Sequence, residues 1–397
     1  MRIFLITSKL RFEENGSPIG GSVIDLHLKA KGLAELGHTV TVVTAFSSAN
    51  RMTGALPYRV EERLIRRRGL LSLQKGVYTL LREFERDADI FYVDGHMFLY
   101  GAGLYRLFGG RVPVTGFFNI RLNAWADTSG NIARLPLHRR VKKALRAVFE
   151  RIVGAPIANR LDAFIFNTPQ VQALYRRFGI GAGKPNIVIE DLVATRELRE
   201  RFSITAEHAA KRARVASLVT FLSTGRMLPE KGFELLLRAF AKARNEQPYR
   251  LILSGGGPDS ERLQKVATEL GIRDAVEFPG WVEKETLYRF FTEAHVFIFP
   301  HWWIEYGSAV LTEALAFGLP CIVPAAGALE RLASGGALTF QDGSVEELAK
   351  RMRELGESAE LRTTLAKGAL ARAEELDARV LVKRMERFLT SDRARVK

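Results

Sequence analysis

The chain has a single cysteine in 397 residues, Cys321. No internal disulfide can form, and the apolar run Leu319-Pro-Cys-Ile-Val323 around it reads as core rather than as a nucleophile's setting. Long hydrophobic runs are missing too. The longest apolar candidate, Gly307 to Leu329, is broken by Glu313, Gly318, Pro320 and Pro324, so it cannot form a membrane span. The opening Met1-Arg-Ile-Phe-Leu-Ile6 is too short for a secretory signal and enters a strand directly. Repeats, low-complexity tracts and a G-x-G-x-x-G turn after the first strand are absent, and the last absence argues against a dinucleotide site. A cytoplasmic protein is expected.

Acidic residues are scarce in one half only. Residues 1–200 hold 30 Lys and Arg against 18 Asp and Glu, whereas residues 201–397 hold 29 against 26, so nearly all of the net +15 belongs to the first half. The excess gathers at Arg59 to Lys75, including Arg66-Arg-Arg-Gly-Leu-Leu-Ser-Leu73, and at Arg134 to Arg160. In Arg139 to Val153, Val141, Leu145, Val148 and Ile152 form one helical stripe with cations beside it. Such a helix either packs on a core or lies on an anionic membrane, and the neighbouring Arg66–Leu73 cluster favours the membrane, which suggests a peripheral position on its inner face. Nucleic acid is not an expected partner, because no reader motif or aromatic interleaving accompanies the charge.

At 47% hydrophobic and 26% charged residues, the chain is globular and long enough for two domains. Arg2–Thr7 reads as a strand, Gly20-Gly21 opens the helix Ser22–Leu36, and Thr39–Thr44 is the next strand, a βαβ unit that implies a parallel sheet. Further strands are expected at Ile90–Val93, Val112–Thr115 and Ala163–Phe166, with Thr168 capping the helix Gln170–Arg177. His96 follows the carboxyl end of one of these strands, where such folds place ligands. Asp87-Ala-Asp89 precedes its strand and reads as a solvated helix end rather than a metal motif. Residues 1–195 and 196–377 are expected as two domains, with 378–397 a helix returning to the first.

The second half carries the densest chemistry, in Pro300-His-Trp-Trp-Ile-Glu305-Tyr-Gly-Ser-Ala-Val-Leu-Thr-Glu313. The strand Val296–Phe299 stops at Pro300, Gly307 breaks the chain, Ser308 is placed to cap a helix, and Gly318-Leu-Pro320 ends it. Glu305 then falls just outside a helix start and Glu313 in its second turn. The unpaired N–H groups between them favour an anion. Upstream, Phe221-Leu-Ser-Thr-Gly225-Arg226 leads through Lys231-Gly232 into a helix, and Arg250-Leu-Ile-Leu-Ser-Gly255-Gly256-Gly257 opens a second glycine turn. Cations at a helix start face a dipole that is already positive, so Arg226 and Lys231 call for an anion between them.

These segments, in this order, resemble the donor-binding domain of retaining glycosyltransferases of family 4, whose GT-B fold is α/β: two Rossmann-like domains with parallel sheets facing across a cleft, and a C-terminal helix crossing back. The resemblance implies a retaining, metal-independent transfer from a nucleotide-sugar, with UDP preferred to GDP, to an anionic or lipid-linked acceptor. No cofactor is implied. By resemblance, Glu305 lies by the donor sugar, Glu313 binds the ribose, Arg226 and Lys231 hold the diphosphate, and Gly307 lets the backbone approach it beside Ser308. Gly225, Gly255, Gly256 and Gly280 match donor loops, Gly20 and Gly21 match a loop near the phosphates and acceptor, and Glu330 matches a further glycine-and-acid turn. His96 joins Glu305, Arg226 and Lys231 as a catalytic candidate. The first half departs from the family pattern at Gly116-Phe-Phe-Asn119 and at Glu190-Asp191-Leu192. A non-catalytic nucleotide-sugar or polyanion binder of the same fold is the alternative.

Overall fold

A computed structural model describes residues 1–12, 20–46, 56–65, 69–119, 141, 144–145, 148–214, 217–244, 248–300, 307–325 and 327–391. The chain divides into two compact units, Met1–Leu192 with Ala378–Lys397, and Val193–Asp377. Each is built on one parallel sheet.

In the first unit, seven strands are ordered β3-β2-β1-β4-β5-β6-β7. They are β1 (Arg2–Thr7), β2 (Thr39–Thr44), β3 (Arg59–Glu62), β4 (Ile90–Asp94), β5 (Val114–Phe118), β6 (Ala163–Phe166) and β7 (Asn186–Val188). Runs such as Phe91-Tyr92-Val93 and Phe164-Ile165-Phe166 are buried throughout, as strands covered by helices on both faces must be. The strand expected at Val112–Thr115 lies two residues later. Pro113 has no N–H to give a ladder, although its carbonyl accepts from Phe91, and burial of Phe117 and Phe118 draws Gly116-Phe-Phe into the sheet. Thr168 caps the helix Pro169–Arg176, its hydroxyl accepting from Val171 N at 3.2 Å. Asp89 accepts from the Arg2 guanidinium and backbone, so Asp87-Ala-Asp89 serves as a strand anchor.

The helix Ala378–Thr390 returns to this unit and packs on the helix Gly21–Glu35. Ala378, Leu381, Val382, Met385 and Leu389 join the core beside β1 and β4. Gly32 lets them meet: a Cβ there would stand 2.9 Å from a Val382 methyl.

In the second unit the order is β10-β9-β8-β11-β12-β13. The strands are β8 (Val219–Thr224), β9 (Tyr249–Ser254), β10 (Val276–Gly280), β11 (Val296–Ile298), β12 (Cys321–Pro324) and β13 (Ala337–Phe340). Strand order reverses between β8 and β11, which opens a crevice beyond their carboxyl ends, the place where open α/β sheets hold ligands. The charged stretch after the junction forms the helices Thr195–Arg201 and Ala206–Arg214. Cys321 is fully buried, and burial pushes its thiol well above the ordinary range.

Candidate functional site

Three loops at the carboxyl end of the second sheet are stitched backbone to backbone. Gly225 N donates to Ser254 O, Met227 N to Gly256 O at 3.0 Å, and Gly255 N to Gly280 O at 2.8 Å. Contact this close requires glycine. A Cβ on Gly255 would stand 1.9 Å from Gly225 O, and one on Gly257 would stand 2.3 Å from Met227 O. Gly225, Gly255 and Gly280 also have positive φ, of 155°, 128° and 74°. The glycines expected to line a donor site thus build one rigid edge.

That edge presents the cations. Met227 is buried and anchors the turn, while Arg226 beside it is exposed with no ion pair among the described residues. Lys231 ends the short turn Pro229–Lys231. Gly232, left-handed at φ 71°, then turns the chain into the helix Phe233–Arg244.

Across the switch point, the helix Ala309–Ala316 starts as expected. Ser308 Oγ accepts from Leu311 N at 3.2 Å, and Gly318 closes the helix at φ 63°. Its far end is held by Arg212, which donates to the carbonyls of Phe317 and Gly318 at 2.8 Å each and also reaches those of Phe291 and Thr292. Burial lowers that guanidinium to about 10. Glu313 is 5% exposed and accepts from Lys284 and Tyr288. Gly307 is half-buried just before Ser308, whereas Glu305 and His301-Trp302-Trp303 lie outside the described residues. Glu330 is exposed on the helix Ala328–Leu332.

The remaining candidates belong to the first unit. Gly20 (φ 92°) and Gly21 are exposed where the helix Gly21–Glu35 begins, a start with no side-chain cap. His96 is half-buried in the turn His96–Phe98 after β4. The same unit holds a polar group that the sequence did not announce. Lys29 is buried, pairs with Asp25 at 2.5 Å and sits 3.3 Å above the Phe117 ring. Asp94 accepts from Thr7 Oγ1 at 3.0 Å, and Asp25 accepts from Leu192 N. Burial, opposed by Lys29 and reinforced by Asp25, raises the Asp94 carboxyl to about 6; burial likewise raises Asp191. Lys284, Tyr288, Arg212 and this cluster were missed because each depends on partners far away in sequence. The local signs were the four-residue spacings of Lys284 with Tyr288 and of Asp25 with Lys29.

Two parallel-sheet units, with the last helix returning to the first, define the GT-B type of fold. Two family models match: Glycosyltransferase Family 4 over residues 19–188 and Glycosyl transferases group 1 over residues 204–372. The chain belongs to this group of glycosyltransferases. It is 29% identical over 241 residues to a D-inositol 3-phosphate glycosyltransferase of Streptomyces avermitilis, covering 56% of this chain and 51% of that one. It is 32% identical over 161 residues to a GDP-mannose-dependent phosphatidylinositol monomannoside mannosyltransferase of Mycolicibacterium smegmatis, covering 38% and 42%. The chain therefore spans about half or less of these curated relatives. Among solved structures, sucrose-phosphate synthase of Thermosynechococcus elongatus superposes with a TM-score of 0.71 at 18% identity, covering 97% of both chains. The Anabaena protein HepE, in complex with UDP and glucose, superposes at 0.67 and 18%, covering 98% and 99%.

Proposed function

We propose that the chain is a retaining glycosyltransferase whose second unit binds a nucleotide-sugar. The observation that carries this reading is the switch point between β8 and β11, where the glycine-built edge bearing Arg226 and Lys231 adjoins the strand leading to the Ser308-capped helix. Breaking a glycosyl–diphosphate bond builds negative charge on the leaving group, and fixed cations and helix N–H groups stabilise that charge more in the transition state than in the ground state. Arg226 grips phosphate oxygens as a fork and Lys231 as a point charge, so the leaving diphosphate is met by the protein's own groups. Glu313 takes the ribose and Glu305 the donor sugar. The leaving phosphate is suited to take the acceptor's proton. HepE, described in complex with UDP-glucose, supports UDP as the nucleotide, while the mannosyltransferase relative keeps GDP in the test.

The acceptor is anionic or lipid-linked, recognised by the basic first unit. In support, two relatives are described as acting on inositol phosphate and phosphatidylinositol mannoside. Peripheral attachment to an anionic membrane accompanies this reading. Large exposed apolar side chains concentrate in the first unit: Leu64, Leu70, Leu71, Phe108, Val141, Leu145, Val148 and Ile152, with Leu71 86% and Ile152 69% exposed. No described helix is long and apolar enough to cross a membrane. Incubation with UDP- and GDP-sugars, followed by release of sugar and nucleoside diphosphate, tests the activity. Binding without turnover across donors and phospholipid acceptors would favour the non-catalytic binder.

A further inference from the structure

Glu313 is a carboxylate with almost no water, and a buried charge needs partners. Lys284 Nζ and the Tyr288 hydroxyl both donate to the same oxygen, Oε1, the hydroxyl at 3.1 Å. The two donors stand one turn apart on the helix Lys284–Glu293, which follows β10 and the Gly280 loop. Tyr288 is held by its ring, stacked on Phe317 at 5.6 Å and packed edge-on against Phe202, so its hydroxyl has a fixed position. Lys284 is different: its side chain is 51% exposed, yet it reaches inward to Glu313 and passes 5.0 Å from the Tyr288 ring centroid. Burial works against its charge, and Glu313 overcomes that and holds the ammonium above the ordinary lysine value.

Two donors on one oxygen fix the plane of the carboxylate. The second oxygen, Oε2, has no partner among the described residues. We infer that Lys284 and Tyr288 are positioning residues that lock Oε1 of Glu313 so that Oε2 is presented to the vicinal diol of a ribonucleotide, and that the pair sets selection of ribose over deoxyribose. This rests on the reading of the second unit as the donor site.

Calorimetric titration of the full chain with UDP, GDP and their 2′-deoxy forms tests it. A hydrogen bond to a charged group is worth about 1.5–3 kcal/mol, so the wild type should prefer the ribonucleotide by roughly tenfold to a hundredfold. In Lys284→Met and Tyr288→Phe that ratio should fall to a few-fold, with most of the loss on the ribonucleotide, while Lys284→Arg should recover most of it. Tyr288→Phe keeps the buried ring, so its result stands even where Lys284→Met melts early. Equal weakening toward both sugars, or an unchanged ratio in both variants, would overturn the inference and leave the donor site standing. A wild-type chain that binds neither nucleotide would overturn the donor reading and this inference with it.

Discussion

Lys284 and Glu313 form an ion pair between the helix that follows β10 and the helix that begins at Ser308. The carboxylate that the family pattern assigns to the nucleotide is thus held by the protein's own groups. The Gly225, Gly255 and Gly280 loops are likewise fixed by their own backbone hydrogen bonds. Preorganisation of this kind lets binding energy go to the ligand rather than to ordering the site.

Gly255→Ala tests the stitched edge. The new methyl would collide with Gly225 O and occupy a φ of 128°, which L side chains rarely adopt. Strain and overpacking of this kind cost about 1–3 kcal/mol each, so the denaturant midpoint should fall clearly and donor turnover should fall with it.

Ser308→Ala tests the cap. Loss of the bond to Leu311 N should cost about 1 kcal/mol in chemical unfolding of the full chain. The helix start would also lose order where the diphosphate is proposed to sit, so the Kd for nucleoside diphosphate should rise several-fold.

The first unit should respond to pH. Asp94, facing Thr7, Tyr92, Asp25, Lys29 and Asp191, titrates in the folded chain at about 6, above the unfolded value near 4. The folded state therefore holds the proton more tightly, and the resulting stability is complete below about pH 4 and lost as pH rises through 6. Unfolding free energy should drop by roughly 1–2 kcal/mol between pH 5 and pH 8 from this group, and Asp94→Asn should flatten that part of the profile.

The proposed membrane attachment would run through Leu71 and Ile152, both largely exposed. Sedimentation with phosphatidylglycerol vesicles should retain the wild type at low salt and release much of it at high salt. Leu71→Glu and Ile152→Glu should weaken retention several-fold with donor hydrolysis unchanged.

Much of this was legible in the sequence because it depends on local rules. The βαβ opening, Thr168 and Ser308 as caps, and the glycine turns after β8 and β9 all follow from neighbours a few residues apart. The strand at Val114–Phe118 was misplaced because Val112-Pro-Val-Thr115 has the stronger local β signal, whereas Phe117 and Phe118 are drawn in by a core that only the folded chain assembles. Lys29 on the Phe117 ring and Lys284 on Glu313 were invisible for the same reason. Nothing in a helical segment's own pattern tells which distant carboxylate or ring its lysine will meet.

The central claim is that Arg226 and Lys231 stabilise a leaving nucleoside diphosphate. It is tested most directly by donor-sugar turnover in Arg226→Ala and Lys231→Ala, measured beside the wild type with the best donor from the UDP- and GDP-sugar panel. Loss of about 3 kcal/mol of transition-state stabilisation would lower kcat roughly 10²-fold in each variant, with melting temperatures held near the wild-type value. Turnover close to wild type in both would contradict it.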